Sequence, residues 1–145
     1  MIRYVGAYLL TAVVFFVIDL LWLGVVARGL YQQYLGPLLA DEVDWAAAVV
    51  FYLLFIVGIF VFAIVPAVKR ASAGHALLMG ALFGFFTYAT YELTNLATMA
   101  GWPLGIVFID IAWGSVLTGS VAVSGYHILR RLTPAPTPKS SPPPT

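Results

Sequence analysis

Residues 45–66 read WAAAVVFYLLFIVGIFVFAIVP, a run that contains no charged side chain. Because an α-helix rises 1.5 Å per residue, a helix of this length crosses about 30 Å of hydrocarbon. Residues 4–26, 75–98 and 104–128 form three further apolar runs of comparable length. A segment inside a bilayer must satisfy its own backbone hydrogen bonds, and these runs are too long for barrel strands. The sequence therefore predicts an all-α polytopic membrane protein with four transmembrane helices in one bundle.

The composition agrees with a membrane protein and excludes several other classes. Hydrophobic residues make up 62% of the chain and charged residues 9%, whereas a soluble domain is about half apolar and a quarter charged. The few basic residues form no patch, which argues against nucleic-acid binding. The chain has no cysteine, which excludes disulfides and thiolate chemistry.

The chain divides into a transmembrane domain and a tail. Residues 1–131 are predicted to form the four-helix domain. Residues 132–145 are rich in proline and are predicted to be a disordered cytoplasmic tail. Between the first two runs, residues 28–44 suggest either a short interfacial helix broken at Gly36-Pro37 or a simple loop.

The basic residues predict the orientation of the chain. With four spans, both termini and the second connection lie on one side of the membrane. That side carries six basic residues and the opposite side carries only Arg28. Under the positive-inside rule, both termini are predicted to be cytoplasmic. The six basic residues are Arg3, Lys69, Arg70, Arg130, Arg131 and Lys139.

Three acids interrupt the apolar runs, and no lysine or arginine lies within the same runs. Asp19, Glu92 and Asp110 each lie about six or seven residues from the predicted outer end of their helix, roughly 10 Å below the surface. An acid at a helix centre costs roughly 2.5 to 3.5 kcal/mol on insertion. We therefore expect a shared outer-half site in which the acids are protonated, hold a cation, or exchange protons.

The neighbouring polar and aromatic residues are predicted to complete this site. Tyr88 and Glu92 share one face of the third helix, and Asn95 follows one turn later, with Tyr91 beside them. Asp-x-x-Trp occurs twice and places Trp22 and Trp113 one turn from Asp19 and Asp110 respectively.

No metal site and no cofactor is predicted. His75 and His127 both fall near the cytoplasmic ends of their helices, far from the acids. A mixed histidine–carboxylate centre is therefore disfavoured.

Five segments resemble a bacterial family of uncharacterised four-helix integral membrane proteins, catalogued as a domain of unknown function. The resemblance covers about residues 1–131 and implies four spans and a location in the bacterial inner membrane, without an established activity. The segments are residues 19–24, 51–58, 88–98, 101–103 and 110–114.

Three classes of function remain open at this point. In the first, Glu92, Asp110 and Asp19 bind a lipid-like or cationic small molecule or act on it by acid–base catalysis. In the second, the protein is a small proton-coupled transporter that works as a homodimer. In the third, it is a structural or accessory subunit whose polar groups only join helices. Whether the protein is an enzyme is left open, and the lipid bilayer is its one certain partner.

Overall fold

The computed structural model describes residues 1–38 and 42–133. Its helices are α1 (Ile2–Val26), α2 (Arg28–Leu35), α3 (Trp45–Lys69), α4 (Ala73–Thr98) and α5 (Leu104–Leu132). The four helices other than α2 are long and apolar enough to cross a membrane. The prediction of an all-α protein with four spans is confirmed, since no strand occurs in the described ranges.

Side-chain caps fix where two of the spanning helices begin. The Asp44 carboxylate accepts a hydrogen bond from the Ala47 backbone N–H at 3.0 Å and starts α3. The Ser72 hydroxyl accepts one from the His75 N–H at 3.1 Å, so α4 begins slightly before His75. Each cap satisfies a backbone donor that the first helical turn leaves free.

A π-helical turn interrupts α3 at Phe60–Ile64, and Pro66 follows it. The sequence placed the end of this helix at Pro66, but the helix continues to Lys69. Proline is tolerated because it lies in the first turn of a new α-helical register, where a missing N–H costs little.

Residues 28–35 form a helix, so the alternative of a simple loop is wrong for this segment. Ala27 and Leu35 are buried at its two ends, and the Tyr34 ring packs against Gly105 at the start of α5. This helix therefore lies at the end of the bundle where α4 turns into α5, which we call the α2 end. The proline-rich residues 134–145 lie outside the described residues, so the predicted tail stays a prediction.

The closest packing in the bundle is between α4 and α5. A Cβ added at Gly80 would lie 2.5 Å from Ala122 Cβ, and one at Gly84 would collide with the carbonyl of Gly114. Only glycine permits this approach of the two backbones, which is how helices commonly associate in membranes. Gly114 in turn gives room to the ring of Tyr88.

The α3 helix follows a different course from its neighbours. Its π-helical turn packs against α4 and α5, whereas its earlier part, Trp45–Ile59, makes its main contacts with α1. The apolar core surrounds the π-helical turn, and a space opens between α3 and α4 towards the α2 end. The core comprises mainly Phe15, Ile56, Ile59, Ile64, Leu117, Val121 and Tyr126.

We expect Gly84→Ala to destabilise the protein by about 1–3 kcal/mol, because the added methyl group must push α4 away from α5. Thermal or denaturant unfolding in detergent micelles measures this loss. Gly24→Ala is the matched control, since nothing lies within 4 Å of a Cβ at that position. Equal stability of the two variants would contradict the proposed helix contact.

Candidate functional site

The three acids that interrupt the apolar runs are buried at the α2 end of the bundle. Glu92 is fully buried, and Asp19 and Asp110 are each 6% exposed. They project from α4, α1 and α5 respectively. The groups that act on these carboxyls in the described ranges are phenols, indoles and one another, and none of them is basic. The acids therefore lack a countercharge from this part of the chain.

Asp110 lies at the centre of the site. Its Oδ1 accepts a hydrogen bond from the phenol of Tyr31, which α2 brings over the end of α5. The carboxyl of Glu92 lies near enough to Asp110 for the two groups to influence each other electrostatically. Burial, together with the hydrogen bond to Asp110, raises the pKa of Tyr31. Tyr31 consequently keeps its proton and remains a donor.

Glu92 is only half satisfied by hydrogen bonds. Its Oε2 accepts a hydrogen bond from the indole Nε1 of Trp102 at 2.8 Å. Its Oε1 is buried and has no hydrogen-bond partner among the residues that the structure describes. Buried carboxylate oxygens are nearly always paired, so an unpaired oxygen beside a second carboxyl needs a proton or a ligand.

Asp19 has hydrogen-bond partners of its own, apart from those of Glu92 and Asp110. Its Oδ2 accepts a hydrogen bond from the Tyr52 phenol at 3.0 Å, and the indole of Trp113 lies beside it. Tyr88 lies within electrostatic range of both Asp19 and Asp110. The structure thus brings Glu92 and Asp110 together as a pair, and Tyr88 lies between this pair and Asp19.

The two tryptophans of the Asp-x-x-Trp repeats stack on each other. The rings of Trp22 and Trp113 have centroids 4.2 Å apart and planes 8° apart. The indole N–H of Trp22 is buried without a partner in the described part of the chain, so it does not donate to Asp19. The stack instead joins α1 to α5 beside the acids and closes this side of the site.

Tyr91 and Asn95 lie at the edge of the site. The Tyr91 side chain is 57% exposed, and its ring meets Trp102 edge-on at 5.9 Å. Its phenol interacts with Asn95, one turn further along α4. These two side chains therefore surround the Glu92 carboxyl from the outside and do not contact Asp19.

Sequence reasoning did not identify Tyr31 and Trp102 as members of the site. Tyr31 lies 79 residues from the acid that it contacts, and only the docking of α2 brings the two together. Trp102 stands in a turn, where an aromatic residue ordinarily indicates the membrane surface. No pattern in the sequence shows that Tyr31 contacts a buried acid, or that Trp102 donates to one instead of only marking the membrane surface.

A cavity of about 480 Å³ reaches the Asp110 carboxyl between α3 and α4. Phe51 and Tyr91 at its rim are more than half exposed. Because these exposed faces belong to membrane-spanning helices, the cavity opens sideways towards lipid. Its lining residues are Phe51, Phe55, Thr87, Tyr88, Tyr91 and Asp110.

The arrangement of the acids does not resemble a metal centre. Within residues 1–38 and 42–133, no group of three or more histidine, cysteine or acidic side chains is placed to hold a metal ion. The site offers instead a carboxyl pair, aromatic walls and one unpaired oxygen. Such groups can hold an organic cation or transfer a proton.

Comparison with known proteins gives one match, to a family. Residues 4–127 match the family described as "Predicted membrane protein (DUF2177)", whose function is unknown. No curated protein and no solved structure matches the chain. The match covers most of the 145 residues, including every spanning helix in large part and all three buried acids. The chain therefore belongs to the DUF2177 family of predicted membrane proteins.

Proposed function

We propose that this protein binds a cationic amphiphile. Its positively charged group lies in the cavity between α3 and α4, where the carboxyls of Asp110 and Glu92 balance the charge. The observation that carries this proposal is the cavity itself, which has one carboxyl at its end and aromatic rings along its walls. Ligand pockets typically combine an apolar lining with a few polar groups that set orientation.

The chemistry of the walls favours an ammonium group over other head groups. Phenylalanine and tyrosine rings attract a cation through their electron-rich faces, and the attraction grows as water is excluded. Asp110 supplies the opposite charge, while an anionic head group would meet two acids and no base. A neutral sugar or alcohol would leave the charge of an ionised pair uncompensated.

Glu92 supplies the acid–base component of the proposal. Two adjacent carboxyls in hydrocarbon cannot both be ionised cheaply without a cation, so one proton is shared between them. A bound ammonium ion takes the place of that proton, which leaves to water, whereas a neutral amine accepts the proton itself and becomes the bound cation. This exchange suits either simple binding or proton transfer on the ligand, and Asp19 provides a second acceptor through Tyr88.

The opening of the cavity supports entry of the ligand from the bilayer. Phe51 and Tyr91 line the cavity and are more than half exposed on membrane-spanning helices, which leaves the cavity accessible from the lipid side. A ligand that partitions into the membrane therefore reaches Asp110 without crossing the loops.

Exchanging Asp110 for asparagine tests the proposal directly. We expect Asp110→Asn to weaken binding of butyltrimethylammonium at least tenfold, about 1.4 kcal/mol, because a fixed cation loses its carboxylate partner. Isothermal titration calorimetry on the protein in lipid nanodiscs measures the dissociation constant, with empty nanodiscs as the blank.

Glu42→Gln is the control for this measurement, since it removes an exposed acid that lies outside the site. Wild type and Glu42→Gln should bind the cation alike. Undiminished binding by Asp110→Asn, or no binding by wild type, would refute the proposed function.

We further propose that the protein lies in the bacterial inner membrane with both termini in the cytoplasm, as the six basic residues on one side indicate. The chain has no native cysteine, so single cysteines can report the topology. On intact spheroplasts, a membrane-impermeant maleimide should label Val43→Cys, and should label Gly74→Cys only after permeabilisation. The reverse pattern would show the opposite orientation.

A further inference from the structure

A second depression runs along the lipid-facing side of α4 and adjoins the cavity. Its volume is about 570 Å³, and it lies between α4 and the π-helical turn of α3. We call it the α4 groove. Its lining residues are Phe62, Met79, Leu82, Phe83, Phe86, Thr87 and Thr90.

The α4 groove and the cavity are neighbours that meet at one residue. Thr87 lines both of them. A series of ring contacts also runs from one to the other. Phe62 stacks on Phe83 at 5.9 Å, Phe83 meets Phe55 at 5.5 Å, and Phe55 meets Tyr88 at 6.2 Å. A molecule that leaves the cavity along these rings enters the α4 groove.

Gly58 fixes the position of the central ring in this series. A Cβ added at Gly58 would lie 2.5 Å from Cζ of Phe83 and 3.2 Å from two more of its ring atoms. The tip of the Phe83 ring therefore reaches the backbone of α3, and the ring lies between Phe55 on the cavity side and Phe62 on the groove side. Because Gly58 has no side chain, the Phe83 ring can lie this deep between α4 and α3, and a ligand chain passes from cavity to groove over the ring at Thr87.

The α4 groove offers hydrocarbon and nothing polar. Its two threonine hydroxyls donate to backbone carbonyls of their own helix, Thr87 to Phe83 at 2.8 Å and Thr90 to Phe86 at 2.7 Å. What remains for a ligand is methyl groups, aromatic rings and the side chains of Leu82 and Met79. From Thr90 to Met79 the groove extends about 16 Å along the helix.

We propose that the α4 groove binds the long alkyl chain of the ligand whose ammonium group occupies the cavity, which makes the ligand class a long-chain amine or quaternary ammonium amphiphile. This inference rests on the proposed function and adds the tail to it. The charged end lies near Asp110 at the α2 end, and the tail runs along α4 towards the opposite end. An amphiphile in the leaflet at the α2 end has the same direction, so it enters sideways without turning over.

The test compares two cations that differ only in tail length, butyltrimethylammonium and dodecyltrimethylammonium. The dissociation constant of the butyl compound is divided by that of the dodecyl compound, for wild type and two variants in the same nanodiscs. Partitioning of the long chain into lipid affects every ratio alike and cancels when the ratios are compared. Leu82→Trp fills the groove. Leu78→Trp adds the same side chain to the same helix at a lipid-exposed leucine outside the groove.

We expect Leu82→Trp to lower the ratio at least tenfold while binding of butyltrimethylammonium stays within twofold of wild type. Leu78→Trp should leave both constants unchanged. Thr90→Trp, which narrows the other end of the groove, should reproduce the effect and replaces Leu82→Trp if that variant does not fold.

Two results would overturn the inference, and they are distinguishable. Equal ratios in wild type, Leu82→Trp and Thr90→Trp, with the short cation still bound, would remove the tail site and leave the proposed function standing. Absence of binding of either cation to wild type, relative to empty nanodiscs, would remove both.

Discussion

The bundle is arranged around two carboxyl groups that meet in hydrocarbon without a base. Glu92 and Asp110 are buried side by side on α4 and α5, and the described part of the chain brings no lysine, arginine or histidine to them. Desolvation makes a pair of negative charges costly there, and donors from Tyr31 and Trp102 offset only part of the cost. A protein that only needed to join helices could do so with one such group. The pair, with its unpaired oxygen, is better suited to receive a cation.

Close helix packing and an open cavity are both needed for this site, and different sequence features supply them. Gly84 and Gly114 let α4 and α5 approach until the two acids are adjacent. The π-helical turn at Phe60–Ile64 lets α3 pack on α4 in one half of the bundle and separate from it in the other. In the proposed function, the separation is the route by which a ligand enters from the membrane, and the glycine contact holds the acids in place while it binds. The α4–α5 contact therefore holds the acids in place, and the gap between α3 and α4 gives access to them.

Much of the fold follows from local patterns in the sequence, and the site follows in part. Apolar runs of helical length predict the four spans, because a helix satisfies its own backbone in lipid and the runs are too long for barrel strands. Counting residues from the helix ends placed Asp19, Glu92 and Asp110 at one depth, and the structure has all three at the α2 end. Counting could not show that Asp19 accepts a hydrogen bond from Tyr52, because that contact depends on the course of α3. Nor could it show Tyr31 on Asp110, since the docking of α2 is a tertiary contact without a local signal.

The measurement that tests the central claim most directly is proton release on binding of a permanent cation. If Glu92 and Asp110 share a proton, binding of butyltrimethylammonium to wild type should release up to about one proton per cation. Titrations in buffers of different ionisation enthalpy give this number from the slope of the observed enthalpy, and Glu92→Gln, which leaves Asp110 no carboxyl to share a proton with, should reduce the slope. A wild-type slope of zero, with the cation bound normally, would show that the carboxyls share no displaceable proton and would contradict the account.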